Sequence, residues 1–151
     1  MNKSLTYDML LLKVVTLLQN ETDMIANLSN LSALLNENLP EINWVGFYLI
    51  KNDELVLGPF QGKVACTRIK LGYGVCGKSA LLKTPLRVSN VHEFDGHIAC
   101  DSASNSEIVI PLTVNHQVIG VLDIDSYVFD RFDAVDQMYL ERIVNELEKT
   151  L

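Results

Sequence analysis

The stretch that most restricts the fold is EIVIPLTV-NH-QVIGVLDIDS, residues 107–126. Two apolar runs, 107–114 and 117–126, are separated only by Asn115 and His116. So short a link joins only antiparallel neighbours, because a parallel crossover needs a dozen residues or more. The chain must therefore contain an antiparallel sheet with this hairpin at its centre.

Three carboxylates interrupt the hairpin: Glu107, Asp123 and Asp125. Asp123 and Asp125 are two apart, so they share a face, with Cα atoms about 6.6 Å apart. Acids on an otherwise apolar strand are costly without partners. Either the strand end reaches solvent or the acids build a cation site. Register decides whether Glu107 joins them. A strict two-residue loop pairs Val114 with Gln117 and sets Glu107 opposite Ile124, facing away. One bulge, or a three-residue loop, reverses that parity and brings Glu107 beside Asp125. Pro111 cannot donate a ladder hydrogen bond, which favours an irregularity. A functional cluster of three acids thus predicts the irregular register.

The remaining elements follow from periodicity. Residues 7–19 and 24–39 read as helices, the second with Ile25, Leu28, Leu31, Leu35 and Leu39 on one stripe and Thr22 or Asp23 as cap. INWVGFYLI (42–50) and ELVLGPF (54–60) read as a hairpin, with Trp44, Gly46 and Tyr48 on one face and small Gly46 leaving room between the aromatics. A short strand (66–71), a glycine-rich turn entering a helix (72–84), an edge strand (85–88) and a long polar loop (89–106) precede the central hairpin. A helix over 132–151, capped by Asp133, closes the chain. This order predicts an α+β fold. The terminal helices cover one face of an antiparallel sheet, and the pocket-forming loops lie on the other.

A length of 151 residues suits a single domain, 1–151, and 48% apolar residues supply its core. A net charge of −7 argues against nucleic acid and anionic membranes as partners. No leader or membrane-spanning run is recognisable, so a cytoplasmic protein is expected. Three cysteines, Cys66, Cys76 and Cys100, are an odd number without metal-ligand spacing. Cys100 stands in the polar loop, three residues after His97, although neighbouring Asp101 opposes a thiolate. Cys76 falls where a helix begins, so backbone N–H groups would lower its pKa. Cys66 reads as half-buried at a strand start. A Cys–His dyad with His92 or His97 lacks an accompanying Asn or oxyanion motif. Gly72–Ser79 fits the bare pattern of a phosphate loop, but without βαβ context, a long following helix or a magnesium-binding Asp it reads as chance.

Together, INWVGFYL, LVLGPFQGKVAC, GYGVCG, HIACDSASNSEIVIPL and VIGVLDIDS resemble the free methionine-(R)-sulfoxide reductases, stand-alone GAF-domain enzymes. The likeness extends over nearly the whole chain, including ETDMIANLSNLSALL and FDAVD. It implies a GAF fold with a largely antiparallel six-stranded sheet. It also implies reduction of free L-methionine-(R)-sulfoxide to methionine, with thioredoxin as reductant and neither cofactor nor metal. By the same resemblance Cys100 attacks the substrate, Cys66 resolves the product as an intramolecular disulfide, and Cys76 is a third cysteine that resolves or attacks. Trp44, Tyr48, Glu107, Asp123 and Asp125 match the substrate pocket.

The chemistry suits these residues. A sulfoxide sulfur accepts a thiolate once its oxygen is protonated, and three clustered carboxylates cannot all ionise cheaply. Glu107 or Asp125 would hold the proton. The remaining charge would bind the free ammonium, Trp44 would cover the S-methyl group, and backbone N–H groups around Ile98, Ala99 and Cys100 would receive the carboxylate. Two rivals are a ligand-sensing GAF module and a redox sensor without turnover. The apolar N-terminal helices suit a homodimer.

Overall fold

A computed structural model describes residues 2–98 and 100–151. Helix α1 (Lys3–Leu18) starts earlier than periodicity predicts, because the Asn2 side chain caps it by accepting from the Leu5 N–H. Asp23, not Thr22, caps α2 (Met24–Asn38), accepting from the Ala26 N–H. Strands β1 (Trp44–Lys51) and β2 (Glu54–Gly62) form the expected hairpin. Its turn residues Asn52 and Asp53 have φ of 51° and 63°, the left-handed pair that a two-residue turn requires.

The short strand shrinks to β3 (Arg68–Lys70), which leaves Cys66 outside the ladder. Then come α3 (Gly74–Leu82), edge strand β4 (Leu86–Val88), β5 (Ser106–Val114), β6 (Gln117–Ser126) and α4 (Ala134–Glu148). Asp133 and Asp136 cap α4 reciprocally. The six strands lie in the order β3-β2-β1-β6-β5-β4, all neighbours antiparallel. Among the described residues no helix is long and apolar enough to cross a membrane.

The central hairpin has the irregular register. Val114 pairs with Gln117 across a tight turn, yet Leu112 pairs with Gly120 and Thr113 with Val118, which bulges out Ile119. Glu107 thereby stands opposite Asp125. Pro111 is not the cause, since it pairs regularly with Val121. The bulge lies where α4 reaches the strand, with the Glu148 carboxylate accepting from the Thr113 N–H.

Alternation splits the sheet into two faces. Val45, Phe47, Leu49, Ile108, Ile110, Leu112, Leu122 and Ile124 bury against leucines of α1, α2 and α4. On the other face Trp44, Tyr48, Val109 and Val121 meet Val75, Cys76 and Ala80 of α3. Two expectations need correction. The space beside Gly46 is not left to a pocket. A Cβ there would lie 2.8 Å from Phe60 Cα and 2.9 Å from the Pro59 carbonyl, so the glycine admits β2 instead. The segment 89–106, expected as a polar loop, also enters the core, because Val91 and Ser104 are buried and Ser106 opens β5.

One polar cluster ties α1 to α4. Asp136 is fully buried and accepts from Tyr7 Oη at 2.6 Å, Lys3 Nζ at 2.8 Å, the Asp133 N–H at 2.8 Å and Arg131 Nη1 at 3.2 Å. Removing the acid strands a guanidinium with 8% of its side chain exposed. Asp136→Ala is expected to cost about 3–5 kcal/mol, read from the midpoint and slope of urea unfolding.

Candidate active site

Three neighbouring strands place the site residues in rows. Asp125 of β6 pairs with Trp44 of β1 on one side and Glu107 of β5 on the other. Asp123 pairs with Gly46 and Val109 one step along. Equal parity points all these side chains to the face under α3. There Cys76 Sγ lies 3.9 Å from Glu107 Oε2. The strand-end reading fails for Asp123, which is 5% exposed beside an equally buried Glu107, whereas Asp125, nearest the strand end, is half-buried.

The aromatics do more than fill space. Trp44 Nε1 donates to the Lys63 carbonyl at 3.1 Å, and Tyr48 Oη donates to the Cys66 carbonyl at 2.8 Å. They thereby fix the segment that carries Cys66. Cys66 and Cys100 form a disulfide with Cα atoms 5.4 Å apart. Trp44, Tyr48, Cys76, Ile98, Cys100 and the three acids border one cavity of about 40 Å³. His97 also borders it. Ile98 lies over α3, close enough that a Cβ on Gly74 would sit 3.3 Å from its Cδ1. The Cys100 N–H donates to the Ile98 carbonyl at 3.1 Å in this disulfide-linked form. Ala99 lies outside the described residues.

Electrostatics sort the acids. Burial, then the charges of Asp123 and Asp125, push Glu107 well above the usual carboxylate range. Burial, then Asp123, does the same to Asp125. Burial also raises Asp123, but hydrogen bonds from Glu107 and Cys76 pull it back. Of the three acids, Asp123 is the one whose charged form is supported by hydrogen bonds from its neighbours, while Glu107 and Asp125 are pushed further toward the protonated form. Cys76 overturns its expectation. It sits in the first turn of α3, yet burial and the three acids push the thiol well above its ordinary value. Burial first, then His92, lowers the His97 pKa. His92 itself is occupied at the surface with Asn105, Nε2 to Oδ1 2.8 Å, and joins no dyad.

The phosphate-loop pattern is spent internally: Lys78 Nζ donates to the Asp95 carbonyl and Ser79 Oγ to the Thr84 carbonyl, at 2.8 and 2.7 Å. Asn43 is a residue that sequence reasoning missed. Its Nδ2 donates to Asp101 Oδ2 and Ser104 Oγ, both at 3.0 Å, and its N–H donates to the Asp125 carbonyl at 2.9 Å. It ties the Cys100 loop to the acid-bearing strand. Nothing local in the sequence signals this, because all three partners are distant along the chain.

Six antiparallel strands, helices on one face and a roofed pocket on the other are the layout of a GAF domain, and the GAF domain family model matches residues 13–151. Along its whole length the chain is 56% identical to the free methionine-R-sulfoxide reductase of Escherichia coli (strain K12), covering 92% of that protein. It superimposes on fRMsr of Staphylococcus aureus, solved in complex with substrate, with a TM-score of 0.93 and 52% identity, covering 96% of this chain and 95% of that one. For the free methionine-R-sulfoxide reductase of Neisseria meningitidis in complex with its substrate, the TM-score is 0.96 and the identity 44%, over 99% of this chain and 90% of that one. The chain belongs to the GAF family and, within it, to the free methionine-R-sulfoxide reductases, a group of oxidoreductases.

Proposed function

We propose that this protein reduces free L-methionine-(R)-sulfoxide to L-methionine with Cys100 as the attacking thiol. The observation that carries the reading is a Cys66–Cys100 disulfide that borders the same cavity as the buried Glu107 and Asp123 and the half-buried Asp125. The E. coli and N. meningitidis relatives, named for this activity, supply the substrate and its epimer.

The Cys100 thiolate attacks the sulfoxide sulfur and forms an Sγ–S bond while Glu107 or Asp125 gives a proton to the oxygen. The hydroxyl then transfers to Sγ as the S–O and Sγ–S bonds break, methionine leaves with the electron pair, and Cys100 carries the oxygen as a sulfenic acid. The Cys66 thiol displaces that oxygen as water and closes the disulfide. An external dithiol, thioredoxin, then reopens it by exchange and becomes oxidised in turn. Asp123, the ionised member, holds the substrate ammonium, which a methionine inside a polypeptide lacks. Trp44 and Tyr48 wall the S-methyl end, and Ile98 borders the carboxylate. Cys76 serves as the third thiol. The reading includes a single GAF unit over residues 1–151 and a cytoplasmic setting that keeps thioredoxin reduced. It also includes a homodimer through α1, where Leu5, Met9, Leu12 and Val15 form an exposed apolar stripe.

NADPH oxidation coupled through thioredoxin reductase and thioredoxin tests the reading. Turnover is expected with free methionine-(R)-sulfoxide and not with the S epimer or the N-acetylated R sulfoxide. Reduced enzyme that turns over none of them is a sensor or binding module.

A further inference from the structure

Cys76 is left as a free thiol while Cys66 and Cys100 are joined. It is only 4% exposed, and yet it does not end in apolar packing. Its Sγ, a Glu107 oxygen and an Asp123 oxygen all lie within 4.8 Å of one another. Asp123 is 5% exposed, and its Oδ1 has no hydrogen-bond partner among the described residues. Asp125 Oδ1, two residues along the same strand, is buried without a partner in the same way. One sulfur and several oxygens thus converge on a buried space that no Lys or Arg side chain among the described residues borders.

The donor set decides the kind of ion. Magnesium prefers an all-oxygen octahedron and keeps its waters, whereas thiolate with carboxylates suits zinc and similar ions. Zinc bonds of about 2.3 Å to sulfur and 2.0–2.2 Å to oxygen place tetrahedral ligand pairs roughly 3.3–3.7 Å apart. Contraction by about 1 Å at the widest pair is within reach of carboxylate rotation. The ligands stand on β5, β6 and α3, so the scaffold is rigid. Asp125 or a water completes the fourth position.

We propose that Cys76, Glu107 and Asp123 form a binding site for a thiophilic divalent cation of the zinc class, and that this cation competes with the substrate ammonium. Binding transfers the thiol proton and the proton held by Glu107 to solvent and involves no change of oxidation state. The competition rests on the proposed function; the cation site does not.

Cobalt(II), a coloured stand-in for zinc, is titrated into the Cys66→Ser/Cys100→Ser protein, in which Cys76 is the only cysteine left. One equivalent is expected to produce a thiolate-to-cobalt charge-transfer band with tetrahedral visible bands, both bleached by zinc. Cys76→Ser in the same background removes the charge-transfer band, and Asp123→Asn weakens cobalt binding about tenfold or more, with circular dichroism unchanged. Free methionine sulfoxide bleaches the bands and its N-acetylated form does not. Absence of the charge-transfer band, or its survival in Cys76→Ser, overturns the site. A band indifferent to free methionine sulfoxide overturns the competition. If the band forms in the double variant while the wild-type protein turns over no sulfoxide, the cation site stands and the reductase reading fails.

Discussion

Replacing Cys100 with serine is expected to lower methionine formation by about 10⁴-fold or more, since loss of an attacking nucleophile leaves only binding and polar stabilisation. Cys66→Ser behaves differently. Its Cys100 can still take the sulfoxide oxygen, so reduced protein forms about one methionine per chain and then slows while the sulfenic acid waits for an external thiol. Counting free methionine against protein in a single-turnover quench separates the two variants. Cys76 cannot replace Cys100, because it is buried and its thiol is held protonated by burial and by the neighbouring acids. Near-normal activity in Cys100→Ser would make Cys76 the attacking thiol and reverse the assignment. A redox sensor would lose its disulfide in either cysteine variant and release no methionine in either.

What the sequence reveals depends on how local the determining contact is. The two faces of the sheet were legible, because period-two alternation in 42–50 and 107–126 is a property of adjacent residues. The α+β order and the Asp133 cap were legible for the same reason. The Glu107–Asp125 pairing was legible only as a condition: parity stated that an irregularity was needed, but the bulge at Ile119 lies beside a contact from α4, remote in sequence. Helix position suggested an acidic thiol at Cys76, and the acids of β5 and β6 reversed it once the sheet folded beneath α3. The Asn43 tie and the closure of the Gly46 gap by β2 likewise depend on pairings that no window of sequence contains. Cys66 with Cys100 came from family resemblance, since 34 residues separate them and three cysteines allow other pairs.

Glu107→Gln is expected to lower kcat by about 10²–10⁴-fold while leaving the protein more stable at alkaline pH. The amide keeps the shape and can still donate a hydrogen bond to Asp123, but it cannot deliver a proton to a sulfoxide oxygen. The stability effect has the opposite sign for a definite reason. Burial and the charges of Asp123 and Asp125 raise the Glu107 pKa, so above about pH 4.3 the folded chain holds a proton that the unfolded chain has released. Folding stability is then full below the unfolded pKa and is lost as pH rises toward and through the folded one. Thermal unfolding of the wild type at about pH 5.5 and 8.5 should show a drop that the variant reduces; Asp125, raised for similar reasons, keeps part of it. The rate of the wild type should fall along the same alkaline limb, because the proton that stabilises the cluster is the one the reaction consumes. A variant with normal kcat but a flattened stability profile would leave the electrostatics intact and move the acid's role to Asp125. Loss of kcat with an unchanged profile would mean that Glu107 is already ionised in the folded protein and acts only by binding the ammonium.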